Sequence, residues 1–333
     1  MGIVISKASG LNDDLWKPVG QILSAVMQDT DSEKTMYDDL VSQMAVKKKS
    51  KKYAEKMSGI TSVGSFDIVA EGGAAPLDDI EETFPKLIIH NTYKKNVSMT
   101  REMLDDGDID GMKTLAKNLV MGYKRTRAEL ITNALVTEGA SFISGGKSLD
   151  KTTGDGLSLF NTSHLGKKSG VATQSNVFTN ELGTDNAMLV RLATIGRQFK
   201  NDSGVVTGFT YDTIIIPGNC HSLEEVATKI IRSDLVVGSA NNDVNTQKGK
   251  WKLIVDPLWE AASGTLPYIL MSSEANKAYN GTAFYDRTPL DVKSEVDIST
   301  RNLLYNGYGR CSCGFGNWRH VILGGATSGT TLS

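Results

Sequence analysis

The longest periodic run of apolar positions in the chain predicts one long helix over residues 108–138. Its apolar and small side chains recur every three or four residues, which places them on one helix face; they are Leu115, Leu119, Tyr123, Thr126, Leu130, Ala134 and Leu135. At 1.5 Å per residue, roughly 27 helical residues form a rod of about 40 Å. Similar spacing predicts shorter helices over residues 31–44 and 184–200.

Residues 59–100 show a different pattern, which predicts a long two-stranded excursion. Ser65–Glu71 alternates apolar and polar residues, Gly72–Pro76 has the composition of a turn, and Lys86–Thr100 alternates again. A hairpin of this length with little apolar surface on its outer half is not stable alone in water. We therefore expect it to lie against something else, such as another copy of the chain.

From about residue 204 onward, short strand patterns alternate with helical ones. A buried strand is expected at Thr210–Ile216, and the capping-box pattern Ser222–Glu225 predicts the start of a helix that ends near Arg232. Further strands are expected at residues 251–256, 267–272, 281–286, 290–295 and 319–323, with strand or turn between the last two. The last nine residues are small and polar and predict a mobile C-terminal tail. The whole pattern indicates the α+β class.

Composition limits the function further. Hydrophobic residues make up 40% and charged residues 22%, as in folded and soluble proteins. Lys plus Arg is 36 against 38 Asp plus Glu, so the chain as a whole is not built to bind nucleic acid by charge. Three cysteines cannot form a disulfide framework, and an odd number suits a reducing compartment. No run approaches the ~20 apolar residues of a membrane span, so no membrane contact is expected.

Two short segments carry concentrated charge of opposite sign. The lysine segment, residues 47–56, has six lysines against Glu55, a net charge of +5: Lys47, Lys48, Lys49, Lys51, Lys52 and Lys56. The acidic segment, residues 71–82, has five carboxylates and no Lys or Arg, a net charge of −5: Glu71, Asp78, Asp79, Glu81 and Glu82. Neither has an obvious partner in its own subunit. They are either solvated separately or in contact between subunits.

Motifs that resemble catalytic or binding sites are incomplete. Asp106–Gly111 begins like a calcium loop, but Lys117 stands where the bidentate Glu should be. Gly146–Ser148 ends like a phosphate loop, yet Ser141 occupies the position of its first glycine. Cys311 and Cys313 with His320 cannot supply four zinc ligands. The sequence therefore predicts no catalytic residue, cofactor or metal site. An α/β hydrolase or a nucleotide-binding enzyme in residues 204–333 stays the less favoured alternative.

Four stretches of sequence, in this order and spacing, carry a resemblance to a known family. They are Asp155–His164, with its Leu-Phe-Asn and final His; Thr213–Pro217 before the Glu224–Arg232 helix; Gly249–Pro257; and Asn317–Arg319 before a closing strand. With the arm, the excursion and the long helix, the chain resembles the major capsid proteins of tailed bacteriophages, which have the Hong-Kong-97-type fold. The resemblance covers almost the whole chain.

The resemblance implies a division of the chain into the parts of that fold. These are an N-terminal arm (1–58), an E-loop hairpin (59–100), a P-domain (101–203) with the spine helix 108–138, an A-domain (204–287), and return strands to the P-domain with a mobile C-terminal tail (288–333). It also implies a structural, non-enzymatic protein of the virion, which forms hexamers and pentamers of an icosahedral shell around double-stranded DNA. Assembly in the host bacterial cytoplasm, with a portal, is expected. The short sequence before the E-loop predicts a separate scaffolding protein.

Within that frame, the charged residues have expected positions. The lysine and acidic segments are expected at contacts between subunits. The positive face of the spine helix is expected on the inner surface of the shell, near packaged DNA: Lys113, Lys117, Lys124, Arg125 and Arg127. An alternative with the same fold is an encapsulin-like compartment, which encloses a cargo enzyme instead of DNA.

Overall fold

A computed structural model of the protein describes residues 4–5, 16–59, 61, 63, 66–78, 80–183, 185–236 and 243–332. The chain divides into two compact units, each built from three separate stretches. Unit 1 comprises Met1–Glu55, Ile88–Ile131 and Phe284–Cys313. Unit 2 comprises Lys56–Leu87, Thr132–Ala283 and Gly314–Ser333.

Helices and strands are mixed along the chain, as the α+β prediction requires. The helices of the described residues are α1 (Lys17–Ser32), α2 (Met36–Met44), α3 (Arg101–Asp105), α4 (Ile109–Val136), α5 (Ala187–Arg197), α6 (His221–Arg232) and α7 (Ser273–Tyr279). The strands are β1 (Val4–Ile5), β2 (Val46–Lys49), β3 (Ala54–Met57), β4 (Lys86–Ile89), β5 (Asn91–Met99), β6 (Ser141–Ser144), β7 (Lys147–Asp150), β8 (Thr213–Pro217), β9 (Lys252–Asp256), β10 (Tyr268–Met271), β11 (Thr282–Val296), β12 (Leu303–Phe315) and β13 (Val321–Gly324).

Unit 1 is organised around a sheet with the strand order β1-β11-β12-β5, and β2 also pairs with β11. β5 runs antiparallel to β12 from Asn91, opposite Cys311, to Met99, opposite Leu303. Helices α1 and α4 contribute apolar side chains to the core against this sheet; the fully buried ones include Trp16, Leu23, Met27, Met112 and Val120. Burial of such side chains stabilises the fold by about 1.5–3 kcal/mol each.

The long helix α4 matches the predicted helix to within two residues at either end. Of its predicted stripe, Leu119, Leu130, Ala134 and Leu135 are buried, whereas Leu115, Tyr123 and Thr126 are half-buried. Tyr123 lies so close to Gly309 of β12 that a Cβ at that position would collide with its ring. Glycine in β12 therefore sets how closely this helix approaches the sheet.

Unit 2 contains a second sheet with the strand order β13-β10-β8-β9. β8 and β9 are parallel, while β10 is antiparallel to both β8 and β13. All residues of β8 are buried, as the apolar run in that segment predicted, and all residues of β10 are buried as well. Helix α6 follows β8, but the predicted capping box does not form. The helix already begins at His221, and its N-cap residue Cys220 makes no side-chain capping bond.

The predicted hairpin over residues 59–100 is only partly present. The described residues 66–78 of its outgoing limb form no strand, and Ser65 lies outside the described residues. The returning limb is extended as β4 and β5, but β5 pairs with β12 instead of with the outgoing limb. Nine residues of β12 satisfy the β5 backbone. The two limbs are joined near their base, where the amides of Thr61 and Thr83 donate to the carbonyls of Glu81 and Gly59.

Two expectations for the last third of the chain are corrected. The separate short strands at 281–286 and 290–295 are one continuous strand, β11, and the Gly/Asn/Tyr-rich stretch after them is β12. The C-terminal segment, predicted as a mobile tail, makes hydrogen bonds within unit 2 as far as Leu332. The amides of Ala326 and Thr330 donate to the carbonyls of Phe178 and Val177, and the Asn180 side chain bonds both backbone groups of Leu332.

The N-terminal helical pattern is interrupted as well. Instead of one helix over residues 31–44, α1 ends at Ser32 and α2 begins at Met36. Thr35 and Asp38 form a capping box at the start of α2, with Asp38 accepting from the Thr35 backbone at 3.3 Å. Because Thr35 is extended, the chain turns before the second helix begins.

Candidate intersubunit and DNA-facing surfaces

The first half of the lysine segment is strand β2 on the sheet of unit 1. Alternation along the strand leaves Lys47 and Lys49 exposed, and the Ser50 amide donates to the Asp286 carbonyl at 3.1 Å. Burial of its stem, and then the nearby Arg127 guanidinium, lower the pKa of Lys47. A cavity of about 370 Å³ opens beside these lysines, lined only by described residues of unit 1.

The acidic segment already has partners in its own subunit, contrary to expectation. The Lys168 ammonium lies 3.1 Å from the Asp78 carboxylate, and Lys56 lies 2.7 Å from Glu82. The hydrogen bond from Lys56 lowers the pKa of Glu82. Glu71 is exposed, Glu81 is half-buried, and Asp79 lies outside the described residues. Lys56 belongs to the lysine segment, so the two charged segments are in contact within one subunit. Lys168 lies 90 positions from Asp78 in the sequence, so the acidic segment alone gave no sign of that pair.

Large apolar side chains are exposed along the same excursion. Phe66 is 98% exposed, and Ile68 and Leu77 are 105% and 101% exposed, as in a fully extended chain. At its base, buried Lys86 bonds to Asp150 and Thr152, and the Lys167 ammonium lies 5.1 Å above the Phe84 ring. The base is therefore attached to unit 2, while the apolar side chains further out have no cover. Exposed apolar clusters of this kind mark interaction sites.

The positive face of helix α4 is smaller than predicted. Lys117 and Arg125 are exposed, and Lys113 is partly exposed. Lys113 pairs with Asp110 at 2.9 Å, and Arg125 pairs with Glu129 at 3.4 Å, one turn away. Exposed pairs of this kind contribute about 0–1 kcal/mol and stay open to competing anions.

Lys124 and Arg127 do not belong to that exposed face, which corrects the sequence prediction. Lys124 is 4% exposed; its ammonium lies 3.1 Å from Asp38 and donates to the carbonyls of Asp31 and Glu33. It thus neutralises the negative C-terminal end of α1. Arg127 pairs with Asp286 at 2.7 Å, and its guanidinium lies 5.2 Å from the Phe284 ring. Both cations are paired inside unit 1 and do not belong to the exposed face of α4.

Two of the four stretches that carried the family resemblance meet in unit 2. The buried His164 ring stacks on Trp318 at 4.3 Å, and its Nδ1 lies 2.7 Å from the Asp155 carboxylate. Next to Trp318, the buried Arg319 donates to Asp202 at 3.0 Å and to the Lys200 carbonyl. These polar residues are buried and satisfied, so they hold the loop in place.

The described residues contain neither a metal-ligand cluster nor a membrane-spanning helix. Nowhere in the described ranges do three or more His, Cys, Asp or Glu side chains gather as metal ligands would. The described helices also include none with the length and apolar content needed to cross a bilayer.

The fold matches those of solved phage capsids. Over 89% of this chain and 92% of the other, it is similar to the capsid of a native GTA particle, with 11% identity and a TM-score of 0.57. It is similar to the Mycobacterium phage Patience structure over 99% and 94%, with 13% identity and a TM-score of 0.54. It is also similar to the capsid of Myoviridae phage XM1 over 85% and 90%, with 12% identity and a TM-score of 0.52.

Identities this low show the fold alone, which is the Hong-Kong-97-type capsid fold predicted from the sequence. No curated protein sequence matches the chain. The sequence model of the phage capsid protein family, however, matches residues 85–323, well over half of the chain. The chain therefore belongs to the phage capsid protein family and is a structural protein of the virion shell.

Proposed function

We propose that this protein forms the hexamers and pentamers of an icosahedral head that encloses double-stranded DNA, without catalysis or a cofactor. The observation that supports this proposal most directly is the almost complete exposure of the Phe66, Ile68 and Leu77 side chains. A single soluble subunit gains nothing by exposing them, whereas a neighbouring subunit that covered them would gain about 1.5–3 kcal/mol for each.

The parts of the shell subunit are assigned as the sequence resemblance implies. The arm would be residues 1–58, the E-loop 59–100, the P-domain 101–203, the A-domain 204–287, and the return strands and tail 288–333. The uncovered excursion supports the E-loop assignment, and the single long helix α4 supports the spine helix. The anchored C-terminal segment would then belong to the body of the subunit.

The charged segments would contribute to contacts between subunits. Exposed Lys47, Lys49 and Lys51 present positive charge, while Glu71 adds to the negative charge of the excursion. Because Asp78 and Glu82 already have partners in their own subunit, any contact across subunits would have to share or exchange those partners. Each exposed pair contributes about 0–1 kcal/mol, but the term repeats over every copy in a shell.

Packaged DNA would lie near the remaining exposed cations of α4, which are Lys113, Lys117 and Arg125. Contacts to phosphates need no base sequence and weaken with salt, which suits a shell that holds any genome. A separate scaffolding protein, a portal and assembly in the host bacterial cytoplasm complete the proposal. These last three rest on the family resemblance alone.

Electron microscopy and sedimentation of the purified protein test the central proposal. We expect closed particles of megadalton mass, and nuclease-protected double-stranded DNA inside particles purified from infected cells. A protein that stays monomeric or forms small oligomers at all concentrations would contradict shell formation. Particles that always contain a protein cargo and no DNA would indicate the encapsulin-like alternative.

A further inference from the structure

A buried chain of hydrogen bonds ties the lysine segment to the sheet of unit 1. His90 is 4% exposed, and its ring nitrogens lie between two serines that are equally buried. Nε2 is 2.9 Å from Ser50 Oγ, Nδ1 is 2.8 Å from Ser312 Oγ, and Ser50 Oγ is 2.7 Å from the Glu55 carboxylate. This hydrogen-bond network begins at Ser312 in β12 and ends at Glu55 in the lysine segment.

The Glu55 carboxylate, at one end of this network, fixes the direction of every hydrogen bond in it. A carboxylate can only accept, so Ser50 donates its single hydroxyl proton to Glu55. Ser50 Oγ also accepts from the Lys52 amide at 3.2 Å, and its remaining lone pair accepts from His90 Nε2–H. His90 is then the neutral Nε2–H tautomer, and its bare Nδ1 accepts the proton of Ser312.

The surroundings favour this neutral form. Burial, and then Arg287 of β11, lower the pKa of His90; Arg310 of β12 acts in the same direction, and only Glu55 opposes them. Tyr285, whose ring lies 5.9 Å from His90, adds an apolar edge. One guanidinium nitrogen of Arg287 and one of Arg310 are buried without a hydrogen-bond partner among the described residues.

We propose that His90 is an acid-sensitive clamp, which holds residues 50–55 of the lysine segment on the sheet at neutral pH and releases them in mild acid. When Nδ1 takes a proton from solvent, it can no longer accept from Ser312, and a buried imidazolium faces two guanidinium groups. Release frees Ser50 Oγ, Glu55 and the Tyr53 carbonyl, which accepts the His90 amide at 3.4 Å. The consequence for shell contacts rests on the function proposed above.

Hydrogen exchange of unassembled chains, corrected for the intrinsic effect of pH, tests the clamp. We expect the amides of residues 50–57 to lose protection by about tenfold or more between about pH 7.5 and pH 5. The loss should disappear in His90→Gln and persist in His221→Gln, which changes an exposed histidine of α6. Unchanged protection in the wild type, or a pH response that survives His90→Gln, would overturn the proposal.

Two charge variants keep the test decisive if His90→Gln fails to fold. Arg287→Gln removes a cation that repels the imidazolium in the closed state, so release should need stronger acid and its midpoint should move to lower pH. Glu55→Gln retains an acceptor for Ser50 but removes the carboxylate that stabilises the closed imidazolium, so the midpoint should move to higher pH. A purely structural contact would not move the midpoint in opposite directions, and equal or absent shifts would refute the clamp. Because no particles are needed, failed assembly would count only against the proposed function.

Discussion

At the residue scale, Lys151 is a buried cation without an anionic partner in contact. It is 1% exposed, its ammonium lies 3.4 Å from the Leu135 carbonyl near the end of α4, and burial lowers its pKa to about 7. The unfolded chain keeps the ordinary value of 10.5, so it binds more protons than the folded chain between these values. Above pH 10.5 Lys151 therefore does not lower the free energy of unfolding, and as the pH falls towards 7 the free energy of unfolding decreases.

Lys151→Met should accordingly stabilise the protein. We expect the free energy of unfolding at pH 7 to rise by on the order of 3 kcal/mol, because an unpaired ammonium no longer has to be buried. Urea unfolding at several pH values between 7 and 10 measures both this gain and the loss of the wild-type pH slope. Lys147→Met, at an exposed position in β7, is the control and should change neither. Destabilisation by Lys151→Met would show that the amine is satisfied in the fold.

His320 should make the protein sensitive to acid. It is completely buried, Nδ1 donates to the Asn317 carbonyl at 2.8 Å, Nε2 accepts from Thr282 at 2.8 Å, and burial lowers its pKa to about 3. Its contribution is intact above pH 6.5 and is lost as the pH falls towards 3, by about 1.4 kcal/mol per pH unit. Urea unfolding across this window should give a slope shallower by that amount in His320→Gln. An unchanged slope would contradict the assignment.

Single residues also show where sequence reasoning fails. Lys117 and Lys124 are separated by two helical turns, and both fall on the polar side of the predicted stripe. Only the tertiary structure reveals that Lys124 reaches the carbonyls at the end of α1 and is buried, while Lys117 stays exposed. The carbonyls that bind Lys124 lie 93 and 91 positions away in the sequence, so no local pattern could have distinguished the two lysines.

At the element scale, helix α4 joins a core face to a cationic face. Leu119 is 5% exposed within the core of unit 1, and Leu119→Asp would bury a charge without a partner. We expect a loss of several kcal/mol, seen as insoluble protein or the absence of particles. The neighbouring Asn118→Asp places the same carboxylate at an exposed position and should assemble normally. Wild-type yields of shells from Leu119→Asp would show that this stripe is not core.

The cationic face of α4 gives a separate prediction. Replacing Lys113, Lys117 and Arg125 by Gln should leave assembly of empty shells intact and weaken DNA retention, most clearly as salt is raised. Retention is measured as nuclease-protected DNA per particle. A control with three exposed lysines outside α4 changed to Gln, Lys147, Lys252 and Lys277, carries the same change in net charge. Equal DNA loss in both variants would mean that net charge, and not this helix, retains DNA.

Elements with strong internal periodicity could be predicted, and those that depend on distant partners could not. Helix α4 and the buried strands β8 and β10 follow from their own apolar patterns. The pairing of β5 with β12 joins residues about two hundred positions apart, so the local alternation could not identify the partner of β5. His164 and Trp318 belong to two different motifs of the family resemblance. Their rings stack in the buried interior, a contact that neither motif indicates by itself.

At the scale of the whole molecule, charge pairing between subunits can be separated from pairing within one. Changing Asp78, Asp79, Glu81 and Glu82 to Lys should block assembly at low salt. Adding Glu at Lys47, Lys48, Lys49, Lys51 and Lys52 should partly restore it, because opposite charges then face each other again. Rescue should vanish near 1 M salt, where the screening length is about 3 Å. Light scattering of assembling subunits is the measurement.

A second reversal identifies the partner. In the variant that carries Lys at position 78, Lys168→Glu restores only the ion pair between residues 78 and 168 inside the same subunit. If it rescues assembly as well as the lysine-segment reversal does, the acidic segment acts within its own subunit. If neither reversal rescues assembly, the two segments are not partners and the effect comes from loss of local structure.

The division of each unit into three separated stretches has a consequence for protein synthesis. Unit 1 needs Phe284–Cys313, and unit 2 needs the stretch from Gly314 onward, so neither can be completed while the last part of the chain is still in the ribosome. Ribosomes add roughly 5–20 residues per second, so this interval lasts on the order of tens of seconds. During that time the core of unit 1 lacks Leu290, Val292, Leu303 and Tyr305, which are buried against α1 and α4. Helices α1 and α4 are therefore made long before the strands that cover them.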